Sequence, residues 1–381
     1  MERKHLSTRL LSYLLTFAML LSFAVPVGAV GGGESQVSFT QVDNSAVSAS
    51  LLTEAVENAT GEPSYAATDL VRVSILLEQP STLEAGYSTA GIADNGAAMT
   101  YRAGLGKAQT DVAAQVQKAT GKKLDVVWNL TLAANIISAN VAYGKLEEIR
   151  QVPGVKAVYL ETRYEPMTQA DTSNVVAQQM TGAASVQQDA GYTGAGARIA
   201  VVDTGTDTDH QSFSAAGFDY SLQKQAEQAG KTVEDYNLLD TAEIASVLSQ
   251  LHVSSGVTAN QLYLNTKLPF GYNYVDKDLD ITHDRDQQGE HGSHVAGIST
   301  ANAYIPNADG TFSNALDTVK VQGVAPDAQL ITMKVFGKNG GAYESDYLVA
   351  IEDAIVLKCD SINLSLGSSN PGASRHDQKE Y

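Results

Sequence analysis

Three segments in the C-terminal half of this chain read as strands: "ARIAVV" (197–202), "LITMKVF" (330–336) and "SINLSL" (361–366). Between the last two lies "SDYLVAIEDAIVL" (345–357), whose apolar positions recur at helical spacing, and the joints are rich in glycine. Strands this apolar must be covered on both faces, and helices between successive strands provide that cover. The alternation predicts an α/β domain with a doubly wound parallel sheet, beginning near Thr172 and running to residue 381. Residues 221–254, rich in Gln, Glu and Leu, read as surface helices.

A different rhythm precedes it. "VRVSILL" (71–77) reads as a strand, and Tyr101, Leu105, Ala108, Val112 and Val116 as one face of a helix stopped by Gly121. Leu124, Val126, Trp128 and Leu130 alternate, "NIISANVA" follows, then a short helix with Leu146 and Ile149, a Pro153-Gly154 turn and "VKAVYL". This βαββαβ order over residues 68–166 predicts a small ferredoxin-like sandwich. It carries no titratable cluster, which points to structural or binding duty.

Arg3, Lys4 and Arg9 precede an apolar stretch from Leu10 to Val25, broken by Pro26 and closed by Val27, Gly28 and Ala29. That is the layout of a signal peptide over residues 1–29, and the small residues and Gly31–Gly33 favour cleavage over a membrane anchor. Residues 30–67 read as a polar linker. A formal charge of −18 argues against nucleic acid and anionic membrane surfaces as partners. The one cysteine, Cys359, has no partner for an intrachain disulfide and reads as a small buried hydrophobe.

The strand "RIAVV" runs into "DTGTDTDH" (203–210), and an aspartate in that setting serves three chemistries. A calcium loop starting at Asp203 would need Gly and Glu where Thr208 and Ser214 stand. A two-lobed aspartic protease would need a second Asp-Thr/Ser-Gly, which is absent. The third chemistry, an aspartate orienting a histidine base, requires a histidine, and "GEHGSHVAGIST" (289–300) supplies His291. An aspartate at the carboxyl end of a parallel strand stands where α/β enzymes keep their sites, and can hold the imidazole in one tautomer. A histidine at a helix N-terminus stays neutral and able to accept a proton. Zinc binding by His291 and His294 lacks the flanking glutamate and a third ligand, and His294 reads as a core or surface residue.

With these residues in place the chain resembles the subtilisin-like serine proteases. "AVVDTGTDTDH" resembles the family's aspartate motif and "HGSHVAGI" its histidine motif, in the family's order. "GVAPDAQLITMKVF", "GKNGGAYESDYLVAIEDAI" and "SINLSLGS" resemble three further blocks, and "NTKLPFGYNYVDKDLD" looks most like the large bacterial cell-envelope, lactocepin-type members. The resemblance implies a subtilisin-type sheet, incomplete here, preceded by an inhibitory propeptide domain. It implies that Asp203 orients the base, that His291 is general base and acid, and that Gly340, Gly341, Ser365, Leu366 and Gly367 pair with an extended peptide substrate.

Two departures stand out. Ser293 replaces the more usual threonine, and the nucleophile motif Gly-Thr-Ser-x-Ala is absent, together with the oxyanion asparagine. The expectation is therefore the N-terminal part of a secreted or cell-envelope subtilase precursor that does not cleave peptides by itself. Its partners would be peptide or protein substrates and its own propeptide. It needs no cofactor for chemistry, and structural calcium is not assigned to any residue. The alternative is a propeptide-plus-stub that inhibits or chaperones a related protease.

Overall fold

The structure, a computed structural model, describes residues 65–166, 181–284, 286 and 289–367. The expected signal segment and the polar C-terminal tail lie outside the described residues.

The first sheet is antiparallel, in the order β2-β3-β1-β4. It is built from β1 (Leu70–Leu77), α1 (Gly96–Thr120), β2 (Asp125–Leu130), β3 (Ile136–Ala142), α2 (Leu146–Arg150) and β4 (Val155–Leu160). Helix α1 starts a turn earlier than the apolar spacing suggests, because the Asn95 side chain accepts the N–H groups of Ala97 and Ala98. Such a cap is worth about 1 kcal/mol. Gly121, at φ 73°, ends the helix. Gln109 is buried on its inner face in place of an apolar residue, its amide donating to Leu130 O at 2.6 Å and Asn135 Oδ1 at 2.9 Å.

The two faces of this sheet have different fates. Val71, Val73, Ile75 and Leu77 join Ile137, Ala139 and Val141 under α1 and α2 in one apolar core. On the other face, Arg72 and Ser74 of β1 and Ser138 and Asn140 of β3 are polar, yet Ser74 and Ser138 are fully buried. Another layer covers them.

That layer comes from the chain that follows β4. Its elements are β5 (Arg163–Pro166), α3 (Ala183–Ala190), β6 (Arg198–Asp203), α4 (Ala215–Ala229), α5 (Thr241–Val247), β7 (Phe270–Asn273) and α6 (His291–Thr300). Then follow β8 (Tyr304–Pro306), β9 (Phe312–Asn314), β10 (Gln329–Lys334), β11 (Ala342–Tyr343), α7 (Glu344–Val356), β12 (Ser361–Leu364) and β13 (Leu366–Gly367). Strands β12-β6-β10-β7 form a sheet in that order, all parallel. β7 has no periodic signal, being four residues long and buried throughout.

On β6, Ala200 and Val202 face one way, packing with Ile244 of α5 and with Val349, Ala350 and Ala354 of α7. Val201 faces the other way, onto Val295 and Ala296 of α6. Helices α4 and α5, read from sequence as surface elements, also bury Phe218, Leu222, Ile244 and Val247. The α7-side core continues without a break into Trp128, Leu130, Leu132 and Ile136 of the first sheet. The two sheets are thus joined through apolar contact around α7.

Candidate active site

Asp203 is the last residue of β6 and is 1% exposed. His291 is the first residue of α6, and its Nδ1 lies 2.6 Å from Asp203 Oδ1. The residue between strand and loop makes this meeting specific. Thr204 donates its N–H to Asp203 Oδ1 at 2.7 Å, and its hydroxyl accepts the N–H of Gly292 at 2.9 Å. One residue therefore touches both the acid and the start of the helix that carries the histidine.

Close approach is enforced by two glycines. A Cβ on Gly292 would run into the Gly205 carbonyl, and Gly205 itself holds φ 111°. Ser293 accepts the Asp207 N–H at 2.8 Å, so the hydroxyl, common to serine and threonine, is the part of the side chain in use.

Burial pushes the Asp203 carboxyl above its ordinary range, with hydrogen bonds from His291 and Thr204 opposing it. Its Oδ2 is buried and accepts no hydrogen bond among the described residues. With Asp203 ionised, Nδ1 must carry the proton, which leaves Nε2 as the free basic nitrogen. The arrangement can take up and return a proton at Nε2 and stabilise the imidazolium formed meanwhile. His294 is exposed one turn along and takes no part in this pair.

The other expected site residues flank a short sheet. β5 lies between β11 and β13 and is antiparallel to both. Tyr164 stands opposite Ala342, Arg163 opposite Tyr343, Glu165 opposite Gly367 and Pro166 opposite Leu366. Leu366 and Gly367 thus pair with an extended segment, while Ser365 bonds its own neighbour Asn363 at 3.0 Å. On the other edge the pairing falls to Ala342 and Tyr343 instead of Gly340 and Gly341. The glycines have φ 75° and 70°, which makes a turn and not a strand. Gly340 contributes its carbonyl, which accepts from the Arg163 guanidinium at 2.9 Å.

Beside this slot the first sheet is anchored by polar contacts that the sequence reading did not single out. Glu352, fully buried on α7, accepts the N–H groups of Thr131, Leu132 and Ala133 at 2.7 to 3.2 Å and pairs with Arg102 at 3.4 Å. Glu161 accepts hydroxyls from Ser74, Ser138 and Ser345. Burial raises its carboxyl, with those hydroxyls and Arg72 opposing. Trp128 donates to Asp346 at 2.8 Å with the Lys277 ammonium 3.8 Å from its ring centroid. One signal was visible: Glu352 and Asp353 interrupt the apolar face of "LVAIEDAIV", and an acid on a buried face must have partners.

Residues 194–381 match the family model described as Subtilase family. The chain is 29% identical over 273 residues to the PI-type proteinase of Lactococcus lactis subsp. cremoris, covering 71% of this chain and 12% of that protein. It is 26% identical over 247 residues to the minor extracellular protease Vpr of Bacillus subtilis (strain 168), covering 61% of this chain and 23% of that one. The epidermin leader peptide processing serine protease of Staphylococcus aureus superposes with a TM-score of 0.38 at 16% identity, covering 79% of this chain and 50% of that one. The chain therefore spans about an eighth of the length of the lactococcal relative, a share of 12%.

Proposed function

The chain is a member of the subtilase family through residues 194–381, and on that premise we propose that it is the precursor of a secreted serine endopeptidase. In this reading Asp203 fixes the tautomer of His291, and His291 takes the proton from an attacking serine and returns it to the leaving amine. The observation that carries it is the 2.6 Å contact between His291 Nδ1 and Asp203 Oδ1 at the carboxyl ends of parallel strands. No Gly-Thr-Ser-x-Ala motif occurs among the 381 residues, so the serine is assigned to none of them. The chemistry calls for no cofactor.

Residues 68–166 are, in the same proposal, a ferredoxin-like inhibitory propeptide. Supporting this is β5, which holds the strand position a peptide substrate would take between β11 and β13. An extended peptide gains main-chain hydrogen bonds on both sides there, whatever its side chains. Secretion follows from the signal-like residues 1–29 and accords with the extracellular location named for the relative Vpr. Among the described residues no helix is long and apolar enough to cross a membrane.

A fluorophosphonate probe, which an activated serine attacks at phosphorus with loss of fluoride, tests the proposal. The whole reading frame around these residues should yield a labelled protein, and His291→Ala should abolish the label. Labelling indifferent to His291, or none in the full-length product, would overturn the proposal.

A further inference from the structure

We propose that Lys334 is a positioning residue for the Asp203–His291 pair, acting with Asp286 as a buried clamp on the Thr204 carbonyl. This inference rests on the reading of that pair as the acid–base machinery.

Lys334 ends β10 and is the register partner of Asp203 on the neighbouring strand. Its ammonium donates to the Thr204 carbonyl and, at 2.6 Å, to Asp286 Oδ2. The two side chains are 2% and 3% exposed. A buried ion pair is a poor way to gain stability, because desolvation offsets most of its attraction and an apolar pair of similar volume commonly serves as well. What an ion pair supplies is a defined geometry. Here that geometry falls on Thr204, the residue that bonds Asp203 and the N–H of Gly292, the neighbour of His291.

Thr204 uses all three of its polar groups toward this end. Its N–H holds Asp203, its hydroxyl holds Gly292 at the start of α6, and its carbonyl is held by Lys334. Asp286 lies five residues before His291 in the sequence. The lysine stem closes the space as well: a Cβ on Gly205 would meet Lys334 Cδ at 3.3 Å. Released from Lys334, the Thr204 residue can turn about its own backbone bonds. That turn carries its N–H off Asp203 and its hydroxyl off Gly292.

The low-field Nδ1 proton of His291, seen by NMR on the 381-residue chain, reports this directly and does not require a nucleophile. Lys334→Met should make that proton exchange with water roughly tenfold faster, the equivalent of one lost net hydrogen bond. Lys334→Arg, which keeps a cationic donor, should restore most of the protection. A folded Lys334→Met protein whose Nδ1 proton exchanges at the parent rate would overturn the clamp, even if its melting temperature falls. Should Lys334→Met fail to fold, Asp286→Asn decides: faster exchange supports the clamp and an unchanged rate overturns it. Absence of the low-field proton from the parent chain would instead sink the acid–base reading, and the clamp with it.

Discussion

Tyr164 stands opposite Ala342 in an antiparallel pairing, and the residue after it, Glu165, stands opposite Gly367 on the other side. Residues 163–166 are consequently the middle strand of a sheet whose outer strands the proposed substrate would need. A tethered strand competes at an effective concentration on the order of millimolar, so an added peptide must exceed that to displace it.

Gly341→Ala should loosen this strand. Gly341 has φ 70°, where a Cβ costs about 1–2 kcal/mol, and that Cβ would run into the Arg163 guanidinium. We expect amide exchange of residues 163–165, followed by mass spectrometry, to quicken roughly tenfold. Unchanged exchange there would mean that the glycine turn does not govern the slot.

Glu352→Gln should weaken the attachment of the first sheet. It removes the charge that faces three backbone N–H groups and leaves Arg102 without its buried partner. Losses of this kind cost about 3–5 kcal/mol. Trp128 is the chain's one tryptophan and lies at this contact, so its emission during urea unfolding is a specific readout. A midpoint equal to that of the parent would refute the assignment.

The attachment should weaken as pH rises, and His252 shows why. Its Nδ1 lies 2.7 Å from Asp353 and its Nε2 3.1 Å from the Asn129 carbonyl, so both ring nitrogens face acceptors. Only the imidazolium can donate to both. Burial alone disfavours that charge, and Arg102 also opposes it, but the Asp353 and Glu352 carboxylates prevail and raise the imidazole above its ordinary value. A raised value means stability that is complete below the unfolded-state value and is lost as pH climbs through the folded one. Glu161 has the same sign, since burial raises it and the docked form favours its protonated state. We expect the Trp128 unfolding midpoint to fall between about pH 5 and pH 8, and His252→Asn to flatten that fall. A slope identical in the variant would exclude His252 as its source.

Asp203→Asn should leave the fold intact and remove the orientation of His291. In a chain that includes the serine, turnover should drop by about 10⁴-fold with little change in KM, as an unoriented imidazole predicts. Steady-state kinetics on a peptide substrate give the answer, and a loss below tenfold would remove Asp203 from the mechanism.

Much of this protein could be read before its shape was known, for a definite reason. Burial repeats with the period of the local element, so "RIAVV" and the run from Tyr101 to Val116 announce a strand and a helix wherever they sit. Asp203 at a strand end and His291 at a helix start were legible in the same way, because each motif carries its own backbone setting. No such periodicity marks "RYEP", which is a strand only because β11 and β13 offer it hydrogen bonds from both sides. Gly340 and Gly341 looked like the edge of the slot, but positive φ moved the pairing on to Ala342. Glu352 meets Thr131 across 221 positions of sequence, and Lys334 meets Thr204 across 130. Local sequence determined the elements whose apolar positions repeat with a clear period, and the face of each that would be buried. Which buried polar atoms complete one another was decided only when the tertiary structure removed water from them, because a hydrogen-bond partner is required by burial and chosen by proximity in space.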